Sequence, residues 1–365
     1  MKVAKILQIG NYPPPMCGWA IQLKLVTDEL RRRGHVCEVL KLNQGRKTVS
    51  PEYVDVQSGP DYLRKIISFS LRGYRLNIHV NGSSKKGYWL ALAAVLTGRL
   101  AGRPALLTFH GGLSQYYFPR HDGSVWSRAF SFLFRAAGAI ACDSAEIASE
   151  IAAYGVAKTK IADIATFSPQ YLEFQPGRLA EDIEGFLDRT QRVIFCYVAF
   201  RPEYRLETLR EAMKNVRAQH PEMGFVWLGF PEPELIEARR YVDAWTLEER
   251  AGVLLVGNLI HPEFLTLLSR SFIYLRTPAC DGVAASVLEA LTLGVPVVAS
   301  ENGRRPQGVI TYQDMSADDM VAKLNDVTER YGEVKRGLSA PASEDNVAKM
   351  AEWLVSGGRH GSPVT

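Results

Sequence analysis

The feature that most constrains what this chain can fold into is a rhythm. Short runs of β-branched and aliphatic residues alternate, from one end to the other, with longer stretches of helical periodicity. A strand that is followed by a helix before the next strand joins its neighbour in parallel, so the rhythm predicts βαβ units and parallel sheets covered on both faces. The first series of strands falls at residues 3–9, 37–41, 77–80, 105–109, 139–143 and 160–165. Between them run helices such as residues 20–33, closed by Gly34, a residue suited to a left-handed helix end. A second series falls at residues 193–199, 225–229, 253–256, 272–275 and 295–300. The expected fold class is α/β: two Rossmann-like, doubly wound domains in tandem.

The two series are separated by FQPGRLAEDIEGFLDRTQR, residues 174–192, which is polar and turn-prone, and the interdomain linker is placed within it. At 365 residues the chain has room for two cores. The expected domains are residues 1–175, residues 176–345, and a terminal helix and tail at 346–365 with the option of packing back on the first domain. In open α/β folds ligands sit at the carboxyl ends of the strands, so a cleft lined by both sheets' carboxyl ends is the expected site.

Composition removes several classes. With 47% hydrophobic and 22% charged residues, the chain is neither disordered nor fibrous. Its net charge of +4 is mild, and there is no zinc-finger spacing, aromatic RNA-binding signature or sustained basic helix, so nucleic acid is not an expected partner. The five cysteines form no CxxC pair, which favours reduced thiols and a cytoplasmic location. The start, MKVAKILQIGNYPPP, reads as a first strand rather than a signal peptide. The apolar runs at 88–97 and 129–142 fall short of the roughly 18 to 20 residues that cross a bilayer, so any membrane contact is expected to be peripheral.

Chemistry concentrates in four segments. In DGVAASVLEALTLGVPVVAS, Asp281 and Gly282 precede a helix expected to start near Ala284 or Ala285. The free N–H groups at such a helix start favour a phosphate, and Ser286 adds a hydroxyl. Glu289, at least one turn further in, can accept hydrogen bonds from a ribose diol. Alone, the same pattern reads first as an N-cap and a solvated glutamate, and it is the other segments that shift the reading. In GNYPPPMCGWA, Gly18 permits close backbone approach at the start of the first helix, although a rigid structural loop explains it as well. In LLTFHGGLSQ, His110 follows an apolar strand and precedes Gly111 and Gly112; it is a candidate to take a proton or hold a sugar hydroxyl, or else a structural histidine. In YVAFRPEYRLETLREA, Arg201 or Arg205 can neutralise a diphosphate, with a solvated loop as the alternative.

Together these segments resemble glycosyltransferase family 4, retaining enzymes of the GT-B fold that use nucleotide-activated sugars. The resemblance is sharpest where the family has Glu, seven residues, Glu, an Ala-rich helix and a GxPVVAS strand; here Asp281, seven residues, Glu289 and GVPVVAS stand in that order. GNYPPPMCGWA, RRRGHVCEVL and ACDSAEIASEIAAYGV match further segments in order. The departures are Asp281 for the first Glu, Cys17 with Gly18 for a double glycine, Tyr204 for a phosphate-binding Lys in PEYR against PEKG, and TFSPQYL for the PNGVD turn.

The resemblance implies a divergent, retaining, metal-independent glycosyltransferase acting in surface polysaccharide or glycoconjugate synthesis. Donor contacts would come from Gly18, Gly282, Val283, Ser286 and Glu289, catalytic ones from His110, Asp281, Arg201 and Arg205, and acceptor-side ones from Trp19, Gly111 and Gly112. The donor is a nucleoside diphosphate sugar, with no cofactor. The acceptor is a saccharide, with a polyprenyl-linked one suggested by the basic residues Arg31 to Arg33, Arg72, Arg75, Lys85, Lys86, Arg99 and Arg103 around the apolar helix YWLALAAVLTGRLAG. Such a surface places the protein at the inner face of the cell membrane; a solvated face reads the same way. Two alternatives stay open: a GT-B nucleotide-sugar epimerase, and a binding protein that never turns its ligand over.

Overall fold

The computed structural model describes residues 3–14, 17–113, 115–230, 232–280, 284–340 and 344–359. The chain divides into two compact units, Met1–Gln170 with Ser343–Thr365, and Tyr171–Ala342.

Unit 1 runs β1 (Lys5–Gly10), α1 (Gly18–Arg32), β2 (Val36–Lys41), α2 (Gly59–Leu71), β3 (Arg75–Val80), α3 (Lys85–Leu100), β4 (Leu106–Phe109), α4 (Val125–Ala136), β5 (Ile140–Cys142), α5 (Ala145–Ala153) and β6 (Ile161–Asp163). Its six strands pair in parallel in the order β2-β1-β3-β4-β5-β6, so the order reverses between β1 and β3. Unit 2 runs α6 (Glu181–Arg189), β7 (Arg192–Tyr197), α7 (Leu206–Gln219), β8 (Met223–Leu228), α8 (Glu232–Asp243), α9 (Leu247–Ala251), β9 (Val253–Gly257), α10 (His261–Ser269), β10 (Ile273–Arg276), α11 (Ala285–Thr292), β11 (Val297–Ser300), β12 (Val309–Tyr312), α12 (Ala317–Glu329) and α13 (Tyr331–Gly337). Its sheet is also parallel, in the order β12-β11-β10-β7-β8-β9, with the reversal between β7 and β10. The last helix, α14 (Asn346–Ser356), belongs to unit 1.

Strand alternation sorts the cores. In unit 1, Leu7, Ile9, Leu76, Ile78, Leu107 and Phe109 point to the side covered by α2, α3, α4 and α5. Ile6, Leu106, Ala139 and Ala141 point to the other side, where Val26 and Leu30 of α1 meet Val347, Met350, Trp353 and Leu354 of α14. In unit 2, Ile194, Cys196, Phe225 and Trp227 pack under α7, α8 and α12, while Val193, Phe195, Val226 and Tyr274 pack under α6, α10 and α11. Full burial of a Val, Leu, Ile or Phe side chain contributes about 1.5–3 kcal/mol, which is why both faces of both sheets are apolar.

The structure adds two elements to those expected. The stretch at 174–192 is not a bare linker, because residues 181–189 form α6, with Leu179, Ile183 and Phe186 buried in the core of unit 2. Those three residues recur at helical spacing inside an otherwise polar sequence. Strand β12 was not among the expected strands; it is a four-residue edge strand, only partly buried, and too short to stand out. Gly34 does take the left-handed conformation, φ 81°, after α1.

Candidate functional site

In unit 2 the candidate groups gather on the loops and helix starts that follow β7 and β10, where the strand order reverses. Helix α11 begins at Ala285, and its N-cap, Ala284, has no side chain with which to bond the first free N–H groups. Asp281, Gly282 and Val283, on which the sequence reading placed sugar and phosphate contacts, lie outside the described residues. Glu289, one turn into α11, is only 3% exposed. A buried carboxylate needs a partner, and it has one: His261, the first residue of α10, places Nε2 2.8 Å from Oε1 of Glu289. The imidazole N–H donates and the carboxylate accepts, and the His261 ring lies against Phe264 and edge-on to Tyr171. The Ser286 hydroxyl is 2.7 Å from that of Tyr274, a residue of β10.

The two arginines expected to compete for a diphosphate differ in their bonding. Nη2 of Arg205 lies 3.1 Å from Oδ2 of Asp314, its Nε lies 3.5 Å from Oδ1, and a further N–H reaches the carbonyl of Pro202. Asp314 holds this guanidinium fully protonated, its pKa raised above the ordinary value chiefly by that hydrogen bond. Arg201 is exposed, and among the described residues its guanidinium has no ion pair or hydrogen bond. Arg205 also has φ 52°. It stands where the resembled motif PEKG has glycine, and a left-handed backbone costs a non-glycine residue about 1–2 kcal/mol. Tyr204, in the place of the lysine, lies 5.5 Å from the guanidinium of Arg276 at the end of β10, with Tyr197 at 5.0 Å from the same group.

In unit 1 a chain of polar side chains crosses the sheet at the carboxyl ends of its strands. His79 on β3 places Nδ1 2.8 Å from Nε2 of His110, just past β4, and the rings stack at 5.1 Å. Nε2 of His79 lies 3.1 Å from both Gln8 and Asn77, Asn77 donates to Gln8 at 2.7 Å, and Thr108 donates to Asn77 at 3.1 Å. On its far side, Nδ1 of His110 is 3.5 Å from Asp143, which follows β5 and accepts a 2.6 Å hydrogen bond from Thr166. Burial, with His110 beside it, drives the pKa of His79 well below the ordinary histidine value, so this ring is neutral. Gly10 makes room for it: a Cβ there would come within 2.9 Å of the Cβ of His79.

The His110 side chain is 5% exposed and both its nitrogens face protein groups, whereas Asp143 is 28% exposed. Asp143 is therefore the accessible end of the chain. Trp19 sits edge-on to His110 at 5.1 Å, so these two expected residues are brought together, with Gly111 and Gly112 directly following. Gly18 opens α1 behind Cys17, whose thiol burial holds protonated.

Sequence reasoning missed His79, Asp143, His261, Arg276 and Asp314. For His79 a signal was present: QIG in β1 and LNIHV in β3 place Gln8, Asn77 and His79 on buried strands, where polar residues are expensive. For His261 there was none, since a histidine before a proline at a helix start reads as a loop residue. Among the described residues no group of three or more His, Cys, Asp or Glu has metal-ligand geometry, and no helix is long and apolar enough to cross a membrane.

This pair of Rossmann-like units is the GT-B architecture. It is similar, at TM-score 0.71 and 15% identity, to the structure of HepE from Anabaena in complex with UDP and glucose, covering 97% of this chain and 100% of that one. It is similar at TM-score 0.67 and 14% identity to a putative UDP-N-acetylglucosamine 2-epimerase from Listeria monocytogenes, covering 98% and 96%. Residues 180–336, nearly all of unit 2, match the family described as glycosyl transferases group 1. The chain is 23% identical over 153 residues to the phosphatidylinositol N-acetylglucosaminyltransferase gpi3 subunit of Schizosaccharomyces pombe, covering 41% of this chain and 32% of that protein. It is 21% identical over 187 residues to the GPI3 subunit of Saccharomyces cerevisiae, covering 50% and 40%. The chain thus spans well under half the length of these curated relatives.

Proposed function

We propose that this protein is a retaining glycosyltransferase that takes a sugar from a uridine diphosphate sugar and passes it to a saccharide acceptor carried on a lipid, in the synthesis of a surface polysaccharide or glycoconjugate. The observation that carries this reading is the buried Glu289 on a helix with an uncapped start, within the segment that matches the group 1 glycosyl transferases. The names of the relatives favour N-acetylglucosamine as the sugar, and the solved complex with UDP and glucose favours uracil as the base.

In this scheme Glu289 accepts hydrogen bonds from the ribose hydroxyls. Arg201 and the N–H groups at the start of α11 hold the diphosphate, and Asp281 orients the sugar. The acceptor oxygen bonds to the anomeric carbon on the face from which the diphosphate departs. The electron pair of the broken bond leaves with the diphosphate, and the acceptor's proton passes to it. Unit 1 receives the acceptor, with Asp143 the accessible carboxylate and His110 behind it. Catalysis by positioning and charge stabilisation needs no metal in this reading, so EDTA should leave transfer unchanged.

A thermal-shift screen of nucleoside diphosphates and their sugars tests the donor, because a ligand bound only by the folded state raises the melting temperature. UDP and UDP-N-acetylglucosamine are expected to shift it and GDP-mannose is not. Glu289→Ala should abolish the shift; a full shift in that variant removes the ribose assignment. The likeness to 2-epimerases over nearly the whole chain keeps one second reading. Incubation with UDP-N-acetylglucosamine alone, followed by proton NMR, separates them: a C2 epimer supports the epimerase, and unchanged donor supports the transferase.

A further inference from the structure

Glu289 is buried, and among the described residues its carboxylate is held at one oxygen only. Among the described residues, His261 is the single group that hydrogen-bonds its carboxylate, at Oε1. The two residues come from different helices on the same face of the unit 2 sheet: His261 is the first residue of α10 and Glu289 lies in the middle of α11. The His261 ring is itself fixed, stacked at 6.2 Å over Phe264 one turn along its own helix and edge-on to Tyr171 at 6.3 Å. A carboxylate is an acceptor only, so Nε2 of His261 carries the proton it shares with Oε1.

We propose that His261 is a positioning residue for nucleoside recognition. It locks the Glu289 carboxylate in the one rotation that turns Oε2 toward a ribose diol, and it compensates the charge that Glu289 must keep while buried. This rests on the reading of Glu289 as the ribose contact. Two vicinal hydroxyls need two acceptor lone pairs in a fixed plane, and a carboxylate free to rotate would lose that alignment each time the site emptied. A hydrogen bond from the protein to one oxygen removes the rotation while leaving the second oxygen, and one lone pair of the first, for the ligand. Without it, a carboxylate 3% exposed would have no compensation, and it would either take up a proton or turn away. In both cases it would stop accepting from the diol.

Isothermal titration of the full chain tests this with four ligands: UDP, 2′-deoxy-UDP, uridine and inorganic pyrophosphate. The wild type is expected to prefer UDP over 2′-deoxy-UDP. In His261→Ala, UDP and uridine should each weaken by the same factor, about ten-fold or more, as expected for loss of a hydrogen bond to a charged group, with pyrophosphate unchanged. The preference for UDP over 2′-deoxy-UDP should collapse toward unity. His261→Gln restores an N–H near the position of Nε2 and should recover most of the affinity and the preference. Thermal melting of both variants keeps misfolding apart from a local effect. His261→Ala that binds UDP as tightly as the wild type, and keeps the preference, overturns the proposal while leaving the donor reading intact. So does a loss that Gln does not rescue in a variant melting like the wild type. Absence of UDP binding by the wild type itself overturns the donor reading, and the role of His261 falls with it.

Discussion

Arg201 and Arg205 are four residues apart and chemically alike, yet among the described residues only Arg205 has a carboxylate in its grip. Asp314 neutralises Arg205, whose backbone is held left-handed, so its side chain supports the loop, and the proposed donor reading assigns the diphosphate to Arg201. Arg201→Ala should therefore weaken UDP binding about ten-fold or more while leaving uridine nearly unchanged. Arg205→Ala should chiefly lower the melting temperature, and titration calorimetry alongside melting curves checks both. His79 supports a second prediction. Its folded-state pKa is depressed, so below the ordinary value of about 6.5 the unfolded chain binds a proton that the folded chain does not. Stability is therefore complete above that pH and falls as pH drops below it, by up to about 1.4 kcal/mol per pH unit from this one group. Urea midpoints from pH 7.5 to 5.5 should fall more steeply in the wild type than in His79→Gln, and parallel slopes would show that His79 titrates normally. The sequence shows where such residues stand but not whom they face. Glu289 could be picked out because helix, glycine and acid are adjacent in the chain, whereas His261 is 28 residues from its partner and Asp314 is 109 from Arg205.

The helices differ in whether a side chain caps their start, and α6, α7, α10 and α13 begin uncapped as well as the helices of the candidate site. Helices α2, α3, α4 and α5 are capped by Ser58, Ser84, Ser124 and Ser144, each accepting from a backbone N–H of the first turn. Helices α1 and α11 start at Cys17 and Ala284 without such a bond. That contrast was legible in the residue types. The role of α6 was not, because three apolar residues among acids and turn formers look like a linker until a core is built to receive them. Phe186→Ala distinguishes the two views: α6 as part of the core predicts a loss of about 3–5 kcal/mol in urea unfolding, and a linker predicts almost none. Strand positions were read from the sequence nearly to the residue because parallel strands buried on both faces are short apolar blocks bounded by helices. The exposed edge at β12 lacked that signature.

At the scale of the whole molecule, unit 1 presents a helical face that is unlike a solvated one. Helices α2, α3 and α4 cover the same side of the sheet. Their outer surfaces expose Leu63, Ile67 and Leu71, then Trp89, Leu96 and Leu100, then Val125 and Phe132. Among them stand exposed Arg64, Lys85, Lys86, Arg99, Arg128 and Arg135, and Asp61 is the only acid in the three helices. A lipid-carried acceptor predicts that this face meets anionic bilayers, each basic group near the surface contributing about 1 kcal/mol. Sedimentation with vesicles of phosphatidylcholine and phosphatidylglycerol should show binding that weakens with salt. The quadruple change of Lys85, Lys86, Arg99 and Arg103 to Gln should abolish it without altering the UDP response. Equal sedimentation by that variant would leave the face with no role at a membrane.

Helix α14 gives unit 1 a history as well as a shape. Its core is built from two stretches of chain with the whole of unit 2 strung between them, and Val347, Met350, Trp353 and Leu354 complete one side of it. On a ribosome, every residue of unit 2 is available before α14 has been made, while the apolar flank of α1 and the sheet waits uncovered. The unit synthesised first is thus the last to be finished, and the newborn chain exposes that flank for as long as translation of unit 2 takes.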